Sequence, residues 1–230
     1  RHKYNCSFID ALRIIDCDFN LKLGYKKDAI HFTMGYMGYR NTNNPKYTKQ
    51  NIIIRKKRRP WNREDATFWS KYLVGKKILS MFAVEPISHY WINNNRFTCK
   101  SITYAFKFKN RYKIYSPYEV KNKWLSNTKK TDIQGYYQLP SKGERLFITS
   151  SLKDVMCLYA AGYNSIAMQS EMQLPDEKLI SELKSRFNTI EILYDNDFNK
   201  ADNPGQIMAK KICGLYGFNN VCLPRTFESK

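Results

Sequence analysis

The sequence predicts two parts. An α/β part, with a parallel sheet and flanking helices, covers residues 141–230, and a smaller mixed α+β part over residues 62–140 precedes it. Three observations predict this. Between Arg145 and Leu223, short apolar runs alternate with amphipathic segments at helical spacing, the pattern of βαβ units. Between Asn62 and Pro140, helical stretches give way to short alternating runs broken by asparagine turns, the pattern of antiparallel strands. The chain has 230 residues and is 43% hydrophobic, which suits one or two folded domains with a real core.

Charge narrows the partners. With 39 Lys+Arg against 20 Asp+Glu, the net charge is +19, and such an excess favours a polyanion, nucleic acid before membrane. No apolar run approaches the roughly 18 residues needed to cross a bilayer, so no membrane role is expected. No signal peptide opens the chain, and a cytoplasmic location is the expectation. The cysteines, Cys6, Cys17, Cys99, Cys157, Cys213 and Cys222, form no Cys-x-x-Cys pair, so zinc is not expected within this chain. Cys157 and Cys213 fall on helix core faces as reduced thiols. His2, His31 and His89 show no ligand spacing.

In chain order, residues 1–24 hold a helix capped by Ser7, with Asp10 in its first turn and Phe8, Leu12 and Ile15 on one stripe. Residues 25–61 read as a basic linker, with a loop signal at Asn41 to Pro45 and a charge run from Arg55 to Arg59 ending at Pro60 and Trp61. Arg58, Arg59 and Trp61 could grip a phosphate backbone, or the run is simply solvated. Asn62 caps the next helix, with Glu64 and Asp65 in its first turn and Phe68, Tyr72 and Leu73 as its stripe. Another helix begins at Lys77. Strands follow at Ser88–Ile92, Ile102–Phe108 and Tyr112–Tyr115, with turns at Asn93–Asn95 and Asn110. Lys107, Lys109, Arg111 and Lys113 alternate on one strand face or its edges. They line a basic groove, or they are a solvated edge that blocks strand pairing.

The α/β part begins with strand Leu146–Thr149, ending in Ser150 and Ser151. A helix carries Leu152, Val155, Met156 and Tyr159, and a short strand holds Ile166–Met168. A helix with Leu179, Ile180, Leu183 and Phe187 leads to strand Ile190–Tyr194, which ends in Asp195-Asn196-Asp197. The last helix carries Ile207, Met208, Ile212 and Leu215 and stops at Gly217, before a strand at Asn220–Leu223. Ligands of a parallel sheet gather at the carboxyl ends of its strands. Asp195 and Asp197 share a side there and repel each other unless a cation intervenes. A hard divalent cation would supply that charge. The plain alternative is a solvated turn, which Asp and Asn favour.

The run from Ile148 to Val155, the Ala161-Gly162-Tyr163 turn, the stretch Ala167 to Glu171, Tyr194 to Asp197 and Asn203-Pro204-Gly205 together resemble the Toprim domain of DnaG-type primases, topoisomerases and related nucleases. Asp65 to Tyr72, Tyr112 to Pro117, Lys123 to Asn127 and Ile133-Gln134-Gly135 resemble the first part of the primase catalytic core, especially in phage primases. Residues 1–24 resemble the helical end of a primase zinc-binding domain, with the zinc ligands lying before residue 1. The resemblance implies a DNA primase, an RNA polymerase that makes short RNA primers on a single-stranded DNA template from ribonucleotides, with a replicative helicase as a partner. It also implies Mg2+ or Mn2+ held by Asp195 and Asp197, and Lys123 in the nucleic-acid and nucleotide groove. At the end of the first strand the family has Glu-Gly-x-x-Asp, where this chain has Ser150, Ser151 and Asp154. A serine supplies no carboxylate, so Glu171 is the candidate replacement and Asp154 the retained member. The other readings are a different Toprim enzyme, nuclease or topoisomerase-related, and a non-catalytic single-stranded nucleic-acid-binding module.

Overall fold

The computed structural model describes residues 52–198 and 202–224, all within one compact unit, Asn51–Lys230. The helix expected in residues 1–24 and most of the expected linker lie outside the described residues. The end of that linker is a strand instead. β1 (Ile54–Arg58) pairs antiparallel with β2 (Val84–Ile92), which begins four residues earlier than its alternation suggests. A basic run reads as solvated by composition, yet Ile54 is buried in the sheet core and fixes the pairing.

Between these strands lie α1 (Arg63–Ser70) and α2 (Lys76–Met81). Asn62 caps α1 in a capping box. Its side chain accepts from the Asp65 N–H at 2.9 Å, and the Asp65 carboxylate accepts from the Asn62 N–H at 2.9 Å. The helix stops at Ser70, so Leu73 leaves its expected stripe and is 81% exposed, while Trp69 is buried. β3 (Asn95–Thr98), β4 (Tyr104–Phe108), β5 (Arg111–Tyr115) and β6 (Trp124–Ser126) complete an antiparallel sheet in the order β1-β2-β4-β5-β6, with β3 added to β2. The turns fall where asparagine predicts them: Asn93 takes the left-handed conformation at φ 55°, which asparagine tolerates.

The second sheet is parallel and runs β10-β9-β7-β8. Its elements are β7 (Gly143–Thr149), α3 (Leu152–Ala160), β8 (Asn164–Ala167), α4 (Glu177–Arg186), β9 (Phe187–Leu193), α5 (Pro204–Tyr216) and β10 (Asn219–Asn220). Helices α4 and α5 pack on one face, against Ile148, Ile166 and Ile192. Helix α3 packs on the other, where Ala167 joins its cluster. The expected stripe of α5 is half wrong. Met208 and Ile212 are buried, but Ile207 and Leu215 are 59% and 56% exposed. The docked face is built from Gly205, Gln206 and Ala209, small or polar residues that hydrophobic spacing passes over. The last strand is shorter than expected and ends before Val221.

The two sheets share a core. Phe68, Leu79, Val84, Tyr104, Phe106 and Tyr115 cluster with Leu152, Val155 and Met156 of α3. A two-bond bridge joins Gln134 to Ala167 at 2.9 and 3.0 Å. Gly135 makes this crossing possible: it sits at φ +80°, and a Cβ there would lie 2.6 Å from Val155.

Candidate active site

Thr149, Ala167 and Leu193 lie side by side in register at the carboxyl end of the parallel sheet. The chain therefore leaves β7, β8 and β9 along one edge, and Ser150, Glu171, Asp195 and Asp197 all follow it. Ser150 is spent on the backbone: its Oγ accepts the Asp195 N–H at 3.1 Å. Ser151 caps α3 and donates to the Asp154 carboxylate at 2.6 Å, which fixes Asp154 in the first helical turn.

The start of α5 is docked against the same edge. Asn203 at φ 34° turns the chain into the helix. Gly205 then lies so close that a Cβ would sit 2.5 Å from the Asp195 carbonyl oxygen. Gln206 donates to the carbonyls of Tyr194 and Asp195 at 3.1 and 3.3 Å, and Asn220 donates to Gln206 at 2.9 Å. The positive end of a helix of 13 residues thus faces the acidic loop, which suits a phosphate as well as a carboxylate.

The Asp195 carboxyl is pushed up to about 6, first by partial burial and then by Asp154, Glu171 and Asp197, with Lys153 opposing. The residue keeps an exposed surface, so the three neighbouring carboxylates are the weightier cause. Glu171 has one carboxylate oxygen buried without a hydrogen-bond partner. Such an orphan calls for an explanation, and an ion is one. Like charges held together, a buried unpartnered oxygen and hard oxygen donors fit a divalent cation. Among the described residues, no three such side chains stand close enough to enclose a metal by themselves. Magnesium does not require that, because it usually takes one or two carboxylates and completes its shell with waters and phosphate oxygens.

The loop that carries Glu171 is tied to the other sheet. Lys113 donates to the Gln169 carbonyl at 2.8 Å, Gln169 donates to the Asp132 carbonyl at 2.5 Å, and Gln134 donates to the Met168 carbonyl. Lys113 is buried, and its ammonium lies 5.0 Å from the Trp124 ring, itself stacked on Tyr115. Burial lowers its pKa to about 8. Lys113 is therefore a strut rather than a groove cation. The signal was present in the strand alternation, which places Lys113 on the side of Tyr115.

The other basic candidates separate. Lys107 pairs with Tyr112 and faces away from Lys113, which pairs with Phe106, so the four expected groove residues do not share a face. Arg111 holds Asp132 in a two-pronged pair at 2.5 and 2.7 Å. Lys109 and Arg111 line an open cleft of about 270 Å³ together with Asp132, Asp176 and Glu182, so that cleft is not cationic. Arg59 is committed to buried Asp65 at 2.6 and 2.7 Å, and Tyr104 donates to the same carboxylate at 2.9 Å. Trp61 stacks over Tyr104 at 6.1 Å. Arg58 lies 3.6 Å from Glu85. Lys123 and Lys107 are exposed. The spacing missed two site residues. Lys153 lies beside Asp195, its ammonium 4.7 Å from the Tyr72 ring, and Gln206 anchors the acidic loop.

No family model matches the sequence. No curated protein matches it either. Solved structures do resemble it in fold. The Aquifex aeolicus primase, zinc-binding and RNA polymerase domains, superposes with a TM-score of 0.55 at 14% identity, over 73% of this chain and 51% of that one. A DnaG catalytic core gives 0.52 at 14% identity, over 67% and 60%. A DNA primase domain from Pseudomonas aeruginosa gives 0.51 at 13% identity, over 66% and 59%. The chain spans about half to three-fifths of the length of these proteins. A parallel sheet flanked by helices, preceded by an antiparallel sheet with its own helices, is thus the fold this chain shares with DnaG primase catalytic cores.

Proposed function

We propose that the chain is a primase core of the DnaG type, making short RNA primers on single-stranded DNA. The observation that carries this is the carboxylate group around Asp195, set at the carboxyl edge of the parallel sheet against the start of α5. Asp195 and Asp197 would hold Mg2+ or Mn2+, with Glu171 and Asp154 close by. Bound there, the cation would neutralise the carboxylates and contact nucleotide phosphate oxygens. The α5 amides add positive potential for the triphosphate. The reaction is attack of a primer 3′-hydroxyl oxygen on the α-phosphorus of a ribonucleotide. A P–O bond forms, the bond to pyrophosphate breaks, and the hydroxyl proton passes to a base. Lys123 and Lys107 remain available to the template. A replicative helicase partner, a phage origin and a cytoplasmic location, in the host if phage-encoded, belong to the same proposal.

Ser150 favours a second reading. Its hydroxyl serves the backbone where the family has glutamate, so the fold could bind single-stranded nucleic acid without catalysis. Primer synthesis on single-stranded DNA separates the readings. Asp195→Asn and Asp197→Asn should each abolish synthesis while the circular dichroism spectrum is kept. Normal synthesis by both would sink the catalytic proposal. Nicking of labelled DNA without nucleotides would point to a different Toprim enzyme, and binding without either reaction to the second reading.

A further inference from the structure

Helix α1 ends in a turn whose geometry asks for glycine and receives leucine. The Val74 N–H donates to the Trp69 carbonyl at 3.2 Å, and the Leu73 N–H to the Ser70 carbonyl at 3.0 Å. These two bonds are the Schellman pattern, which takes a left-handed residue just past the helix end. Leu73 is that residue, at φ 58°. Its Cβ is strained there, which is why such a position favours glycine. The strain gains no burial, because Leu73 is 81% exposed. Nor does the cap need this side chain. Val74 and Trp69, the apolar pair that accompanies such a cap, are already buried in one core cluster.

Leu73 lines an open, mostly apolar pocket of about 400 Å³ between α1 and α2, together with Trp61, Trp69, Val74 and Leu79. Its charged members are Lys76 and Asp65. Asp65 is not available to a ligand, since its carboxylate is held by Arg59 and Tyr104. Around the pocket the charge is one-sided. Arg63, Lys71, Lys76 and Lys77 are all exposed, and among the described residues none of them forms an ion pair. Between Trp61 and Met81 the only exposed acid is Glu64. Lys76 and Lys77 open α2 with no acid in its first turn, an order that does nothing for the helix. A basic surface alone is ordinary solvation, but solvation does not account for a strained leucine exposed beside an apolar hollow.

We infer that this pocket docks an acidic segment of another protein. One large apolar side chain of that segment seats against Leu73 and Trp61, and its carboxylates meet Lys71, Lys76 and Lys77. A hollow of this volume takes a single anchor side chain, and an anchor in a pocket with a charged rim is how a short segment is held. Charge selects the occupant. A rim of unpaired lysines on a chain of net charge +19 attracts an acidic partner and repels a second copy of itself. A strand of nucleic acid would satisfy the lysines, but its bases need a flat ring to stack on. Trp69 is 1% exposed, and Trp61 is half-buried against Tyr104. None of these residues belongs to the acidic edge, so the site is additional to the primase reading.

The test is fluorescence anisotropy of a labelled peptide, Asp-Glu-Asp-Phe-Glu-Asp, with the full chain at low salt, in chelator and without nucleotides. It reads binding alone, so failed primer synthesis has no bearing on it. Leu73→Gly gives the turn the residue its geometry favours, so the thermal midpoint should hold or rise while peptide affinity falls about tenfold. Replacing the peptide's phenylalanine by serine should weaken binding about tenfold as well. Lys76→Gln with Lys77→Gln should lower affinity at low salt and reduce its dependence on salt. The control is Lys210→Gln with Lys211→Gln, which removes the same charge from the exposed side of α5. Wild-type affinity in Leu73→Gly overturns the proposal, as does a serine peptide that binds as well as the parent. So does a lysine pair that matches the control, or a wild-type chain that leaves the peptide unbound at millimolar concentration. An oligothymidylate whose affinity falls with Leu73→Gly while the peptide's does not would make the pocket a nucleic-acid contact, and overturn it too.

Discussion

Arg59 and Asp195 show how far a residue's role departs from its type. Arg59 sits in a basic run and reads as a phosphate contact, yet it neutralises a buried aspartate. The local half of that network, Asn62 with Asp65, was legible as a helix cap four letters long. The distant half, Tyr104, was not, because 39 residues separate it from Asp65. Desolvation alone would raise the Asp65 pKa, but the bonds from Arg59, Asn62 and Tyr104 outweigh it and the net shift is downward. Its stabilising contribution is therefore present at neutral pH and lost as pH falls through the lowered native value. Removing Arg59 leaves a buried charge unpaired, so Arg59→Ala should cost about 3 kcal/mol in urea unfolding at pH 7, while oligonucleotide affinity barely changes. Asp195 behaves oppositely. Its native pKa of about 6 lies above the roughly 3.9 of an unfolded aspartate. It therefore opposes folding above pH 6, and the opposition fades as pH falls toward 4. Without metal, Asp195→Asn should be more stable than wild type at pH 7 and lose that advantage by pH 4, as thermal melts across pH would show. An unchanged gap would mean that the carboxylates around Asp195 do not interact.

At the scale of elements, periodicity found every long helix and strand of the parallel sheet, but it gave Phe187 to the stripe of α4, where the chain is already extended and Phe187 opens β9 three residues before the expected start. It failed further where a surface is made of something other than large apolar side chains. Helix α5 docks through Gly205, Gln206 and Ala209, so its exposed Ile207 and Leu215 misled the pattern. Strand β1 was hidden by its own charge. The loop after β8 has no periodicity at all, and its position is imposed by bonds from Lys113, Gln134 and Gln169. Lys113 can be tested through its proton. Its native pKa of about 8 is below the unfolded lysine value of about 10.4. Between those values the unfolded chain binds more protons, so stability contributed at this position rises with pH. Relative to Lys113→Met, wild type should gain up to about 3 kcal/mol in unfolding free energy between pH 8 and pH 10.5, read by urea denaturation at each pH. A flat difference would place the ammonium in solvent and detach the Glu171 loop from the antiparallel sheet.

For the molecule as a whole, the order of elements was readable but their union was not. Nothing local in the sequence says that α3 closes the core of a sheet formed some 40 residues earlier, because packing between distant segments leaves no spacing to read. Yet Leu152, Val155 and Met156 are 2%, 1% and 0% exposed, and their neighbours include Phe68, Tyr104 and Tyr115 of the antiparallel part. The same helix presents Asp154 and Lys153 to the acidic edge, so the geometry of that edge depends on both sheets. If they form one cooperative body, damage to α3 must be felt on either side of it. Leu152→Ala removes a buried side chain and should cost about 2–5 kcal/mol. In native-state hydrogen exchange, amides of β4 and β5 should lose protection by the same free energy as those of β7 and β9, because the most protected amides of a cooperative unit exchange only through its global opening. Loss confined to β7 and β9 would mean that the parallel sheet opens on its own and that α3 belongs to it alone. The acidic edge would then be positioned without help from Lys113 or Gln134, contrary to the bonds that tie its loop across the boundary.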